Sequence, residues 1–242
     1  MQSTGVGFAT MSSATDIILN PAGEVDIEQM RLGEPFARHE SKEVLTNIVL
    51  FTGLTTKQVQ IRQNEDAILF IGSSSIRLWN TIEQDIEPYS SIRRGYGGAK
   101  YTDLIHFTER LVEPHNVKAV GIFVANDITG GEKDLKPKEV LNLVKYVIKS
   151  IQKTHKNKPI FIIETTPTPK RWRVWDKISQ ANDLISNFCS NKENLFFIST
   201  RKYFISSLGN PIDDYFRKDK LHLNKAGYSL WGKIIKQSFD KN

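Results

Sequence analysis

Cys189 is the only cysteine in the 242 residues, which excludes an internal disulfide and any metal cluster built on thiolates. It falls in a helical stripe with Ile185 and Phe188, the setting of a packed core thiol. No apolar run approaches the ~20 residues that a membrane span requires, so no span is expected. The opening Met1-Gln2-Ser3-Thr4-Gly5-Val6-Gly7 has neither a basic segment nor an apolar one, and no secretory leader is visible in it. As it stands the chain reads as cytoplasmic, and a secreted or periplasmic location would require a processed or trimmed N-terminus. His, Asp and Glu do not cluster at metal-ligand spacing, so neither a metal nor another cofactor is expected. Acidic residues are also in deficit, with 27 Asp and Glu against 33 Lys and Arg, a formal charge of +6. That surplus is scattered along helical faces, at Lys136, Lys138, Lys145, Lys149 and Lys153, without interleaved aromatics. A nucleic-acid partner is therefore not expected.

What the chain does have, from residue 67 onward, is an alternation of short apolar runs and amphipathic stretches. Ala67 to Ile71, Ala119 to Val124, Ile160 to Ile163 and Leu195 to Ile198 are nearly free of polar residues, as strands buried on both faces are. Ser90 to Arg93 is a weaker fifth strand. Between them Val140, Leu143, Val144, Val147, Ile148 and Ile151 recur at helical spacing, with Pro137 where a first-turn proline is tolerated. Similar stripes occur at Leu104, Phe107 and Leu111, at Ile178, Ala181, Leu184, Ile185 and Phe188, and at Leu230, Ile234 and Ile235. The repeated order predicts an α/β fold, a doubly wound parallel sheet in three α/β/α layers. Residues 1–66 do not follow this rhythm and read as an N-terminal extension or partial accessory region without assignable chemistry; residues 67–242 form the principal domain.

Three short blocks fall where chemistry collects in such a sheet, at the carboxyl ends of strands, and a fourth lies near the C-terminus. Gly72-Ser73-Ser74-Ser75 follows the first strand, and a serine there sits either on an exposed tight turn or as an ordinary helix cap. Arg94-Gly95-Tyr96-Gly97-Gly98-Ala99 follows the weak strand, either as a flexible turn or as backbone N–H groups open to an oxyanion. Asn126-Asp127 closes the Ala119 strand, either with a side-chain amide donor or as an ordinary turn residue. Near the C-terminus, Asp219-Lys220-Leu221-His222 puts a carboxylate three residues before a histidine, so one turn supplies a proton acceptor and the group that orients it. None of His39, His106, His115 and His155 is paired with a carboxylate in a comparable short turn near a strand end.

In this order the blocks resemble those of the SGNH hydrolases, the GDSL-type esterases and lipases, over residues 67 to about 240. The resemblance implies the family's flavodoxin-like sheet and an acyl-enzyme mechanism. It implies Ser74 as nucleophile, His222 as base and then acid, and Asp219 as the residue that orients His222. The oxyanion hole would comprise the N–H groups of Ser74 and Gly98 and the side-chain amide of Asn126, with Gly97 the competing choice in its cluster. Ser73 stands where the family name has Asp, and Val124 where the third block has Gly; neither change removes a catalytic group.

The stretch from Thr165 to Trp175 is a proline-stiffened loop at the same edge, carrying Lys170, Arg171, Trp172, Arg173 and Trp175. Its two indoles suit a wall for a sugar ring or acyl group, or else pack the loop onto the domain. No apolar lid is evident, which disfavours aggregated lipid as substrate. With the esterases of the family that share the GSSSIR and NDIT-like blocks, the resemblance implies deacetylation of a glycan or another small ester. The rival expectation is a non-catalytic glycan-binding or scaffold module retaining the same fold and attached through residues 1–66.

Overall fold

Alternate residues of the first strand belong to two different cores: Leu69 and Ile71 point to one, Ile68 and Phe70 to the other. That period of two on a strand with every residue buried requires cover on both faces. The computed structural model describes residues 65–241, so nearly all of the extension expected over 1–66, His39 included, lies outside the described residues.

Five strands, β1 (Ala67–Gly72), β2 (Ser90–Gly95), β3 (Ala119–Phe123), β4 (Ile160–Ile163) and β5 (Leu195–Ile198), form one sheet in the order β2-β1-β3-β4-β5. All neighbours are parallel. One face is covered by α3 (Tyr101–Val112), α4 (Pro137–Thr154) and α5 (Trp175–Cys189), whose apolar stripes join Val120, Ile122, Ile160 and Ile162. The other face carries the short α1 (Ser74–Arg77) and α2 (Ile82–Asp85) together with α7 (Lys225–Phe239). There Trp79, Ile82, Trp231, Ile235 and Phe239 pack on Ile68, Phe70, Phe123 and Phe161. A further short helix, α6 (Arg201–Phe204), follows β5. The expected α/β, doubly wound, three-layer architecture is present.

The strand order places the topological switch point between β1 and β3, where chains leave neighbouring strands in opposite directions and open a crevice. Gly72 makes the exit from β1 possible. Its φ is +141°, and a Cβ there would lie 1.9 Å from the carbonyl oxygen of Phe123. With hydrogen at that position, the Ser73 N–H reaches the Phe123 carbonyl at 2.9 Å, and the next residue is delivered to the sheet's carboxyl edge at the start of α1.

Candidate active site

Ser74 is the first residue of α1, so its N–H lies in the turn of a helix that has no internal acceptors. Its Oγ is 2.9 Å from His222 Nε2. The opposite ring nitrogen, Nδ1, is 2.6 Å from Asp219 Oδ2. Because a carboxylate accepts only, Nδ1 carries the proton and Nε2 is left to accept from the serine hydroxyl. The Asp219 Oδ1 accepts the N–H groups of Leu221 and His222, each at 3.0 Å. Partial desolvation pushes the Asp219 carboxyl up, but hydrogen bonds from the His222 ring and from these two N–H groups bring it down to about 2.

The turn carrying Asp219 and His222 is held from several sides. Lys220 adopts φ +59°, a left-handed conformation unusual for a side-chain-bearing residue, and its carbonyl accepts the Lys170 N–H at 2.9 Å. Asn224 caps α7 by accepting the Gly227 N–H at 3.0 Å. Its amide donates to the carbonyls of Asp214 at 2.7 Å and Phe216 at 3.2 Å. The segment leading into His222 is thereby fixed to the helix that follows it.

Across the crevice Asn126 follows β3, and its Nδ2 donates to the Ala99 carbonyl at 2.9 Å. The second hydrogen of that amide has no acceptor among the described residues, and Asn126 lines the same cleft as Ser74 and His222. Gly98 has φ +81° with open space where a Cβ would stand. The N–H groups of Gly97 and Gly98 both lack a backbone acceptor among the described residues. Asp127 turns the other way: it is buried and accepts the Tyr101 N–H at the start of α3 with both oxygens at 3.1 Å.

The cleft encloses about 440 Å3 including its open mouth, and Phe123, Thr166, Thr168, Phe216, Leu221 and Leu223 contribute to its walls. Val124 packs into the core on the α3 to α5 side. From the proline-stiffened loop it is Thr166, Thr168 and Arg171 that line the cleft, while Trp172 and Trp175 are outside that lining. The two indoles stack on each other, with centroids 5.8 Å apart and planes 18° apart. Trp175 also packs against the core with the Arg201 guanidinium over its ring, and Trp172 is half-buried.

Sequence reasoning did not single out Arg171. This side chain is 9% exposed, and its fork donates to the Ala125 carbonyl and, at 2.6 Å, to Asn126 Oδ1. The only available signal was a cation in a proline-rich loop at the carboxyl edge, and two other cations shared it.

The fold is that of the SGNH hydrolases. Among solved structures with this fold, a GDSL-like lipase from Bacteroides thetaiotaomicron superposes with a TM-score of 0.62 at 16% identity, covering 81% of this chain and 97% of that one. A lipase/acylhydrolase from Enterococcus faecalis gives 0.56 at 18% identity over 72% and 96%. A carbohydrate esterase family 3 protein from Talaromyces cellulolyticus gives 0.57 at 12% identity over 72% and 96%. At such identities the likeness is one of fold. No protein-family model and no curated protein sequence matches the chain.

Proposed function

We propose that this chain is a serine esterase that removes short acyl groups, acetyl foremost, from a carbohydrate. The observation that carries the reading is the unbroken relay from Asp219 through His222 to Ser74, with contacts of 2.6 and 2.9 Å, at the wall of a single cleft. Ser74 Oγ attacks the ester carbonyl as its proton passes to His222 Nε2, and Asp219 steadies the imidazolium that forms. The tetrahedral oxyanion is held by the N–H of Ser74, the N–H of Gly98 and the free amide hydrogen of Asn126. His222 then gives its proton to the departing alcohol, leaving the acyl group on Ser74. Water, deprotonated by His222, releases the acid and restores the serine.

Bulky walls at Phe123, Phe216, Leu221 and Leu223 support a short acyl group. The carbohydrate assignment draws on the half-buried Trp172 stacked on Trp175, in the loop whose Thr166, Thr168 and Arg171 line the cleft, and on a carbohydrate esterase among the proteins of this fold. Among the described residues no helix is long and apolar enough to cross a membrane.

The test is a rate comparison across acetylated oligosaccharides and p-nitrophenyl acetate, butyrate and octanoate, with Ser74→Ala alongside. The expected order has acetyl fastest and octanoyl slowest, and Ser74→Ala reduced to a few per cent of wild type or less. Unchanged turnover by folded Ser74→Ala would reject the esterase reading. A preference for octanoate would reject the acyl-size assignment.

A further inference from the structure

Arg171 is a cation in the wall of the cleft without a carboxylate hydrogen-bonded to it among the described residues. Burial lowers its affinity for the proton, against the opposing pull of Asp134 and Asp127. Burying a charge whose hydrogen bonds go to neutral carbonyls is costly, and the contacts of its guanidinium indicate what it does there. One arm of the fork donates to the Ala125 carbonyl and the other to Asn126 Oδ1 at 2.6 Å. Asn126 Nδ2 meanwhile donates to the Ala99 carbonyl. A guanidinium only donates and a carbonyl only accepts, so this pair of neighbours permits one orientation of the amide and forbids the flipped one. The remaining amide hydrogen is then the one available to the cleft. The neighbouring Lys170 donates its N–H to the Lys220 carbonyl, so the short 3-10 helix Pro169–Val174 touches both the asparagine and the segment that carries Asp219 and His222.

We propose that Arg171 is a positioning residue of the oxyanion hole. Its fork fixes the Asn126 amide with nitrogen toward the reacting carbonyl, and its positive charge polarises that amide as the oxyanion forms. The inference rests on the esterase reading and deepens it. A lysine presents a point charge on a flexible stem and cannot hold both acceptors in one plane, so the geometry of the fork matters as well as its charge. Because Arg171 acts through Asn126, its effect exists only while Asn126 is present.

The experiment is a double-mutant cycle on kcat for p-nitrophenyl acetate, using the full chain at a temperature below every variant's Tm. The variants are Arg171→Met, Asn126→Ala and their combination, with Arg171→Lys and Arg171→Gln measured beside them. Arg171→Met is expected to lower kcat by about tenfold or more with little change in KM, and Asn126→Ala by about 10² or more. The double variant is expected within about threefold of Asn126→Ala, since the second change removes nothing the first has left. Arg171→Lys should fall between wild type and Arg171→Met. Multiplicative losses in the double variant, or a loss confined to KM, would overturn the proposal. Should Arg171→Met fail to fold, the cycle built on Arg171→Gln or Arg171→Lys decides by the same criterion. Activity retained by Ser74→Ala would instead remove the esterase reading itself, so the two failures are distinguishable.

Discussion

At Asp219, hydrogen bonds from the His222 ring and from two backbone N–H groups overcome partial desolvation and hold the carboxyl at about 2, against an ordinary value of 3.8. A folded-state value below the unfolded one means that these bonds contribute fully above pH 3.8 and lose their contribution as pH falls towards about 2. Comparing Tm of wild type and Asp219→Asn between pH 6 and pH 2 should therefore show a gap that narrows only below the ordinary carboxylate value. The side chain is 47% exposed, so solvent screening keeps that gap small; a gap that is constant with pH would show that the bonds confer no charge-dependent stability. In turnover, Asp219→Asn should retain more activity than His222→Ala, because the asparagine variant keeps a base, though a mis-set one. The reverse ranking in kcat/KM would contradict the roles assigned. The pairing of Asp219 with His222 was legible in the sequence because both side chains share one turn. Arg171 was not, because its partners stand 45 and 46 positions away and only the fold brings them together.

Secondary-structure elements carry the next level of control, and two of them begin at residues adjacent to the site. Burial pushes the Asp127 carboxyl at the start of α3 up to about 7, with Asp103 adding to the effect and the Tyr101 N–H, Lys100 and Arg171 opposing it. Here the folded value lies above the ordinary 3.8, so the stabilisation is complete below that value and is lost as pH rises through about 7. Asp127→Asn keeps an oxygen for the Tyr101 N–H and carries no charge. Its Tm relative to wild type should rise between pH 5 and pH 8, and a pH-independent difference would count against a protonated Asp127 in the fold. Asn224→Ala at the start of α7 should destabilise by about 1 kcal/mol or more, the ordinary cap effect plus two carbonyls left without a donor. Urea denaturation measures that loss, and kcat should fall with it because the same amide anchors the segment leading to His222. The long helices were readable from their apolar stripes. The four-residue α1 and α2 were not, since a single turn is too short to display a period.

Across the whole molecule, the sheet order explains why Ser74 and Asn126, far apart in the chain, line one cleft: β1 and β3 are neighbours at the switch point, and these residues follow their carboxyl ends. Strands buried on both faces were legible as apolar runs, whereas β2 was weaker because it is an edge strand, half-buried throughout, and carries Arg93 and Arg94. The tryptophans mark a second limit, since their composition suited both packing and recognition. Trp175→Ala should lower Tm, as its ring packs on the core, while Trp172→Ala should raise KM for an acetylated oligosaccharide and leave p-nitrophenyl acetate nearly unchanged. Equal losses on both esters together with a lowered Tm for Trp172→Ala would assign that indole to packing as well. The measurement that bears most directly on the central claim is the site of covalent capture by a fluorophosphonate, a reagent that reports an activated serine. One adduct is expected by intact mass, mapped to the peptide containing Ser74, absent in Ser74→Ala and formed far more slowly in His222→Ala. An adduct on another residue, or no adduct on a preparation that hydrolyses acetyl esters, would contradict it.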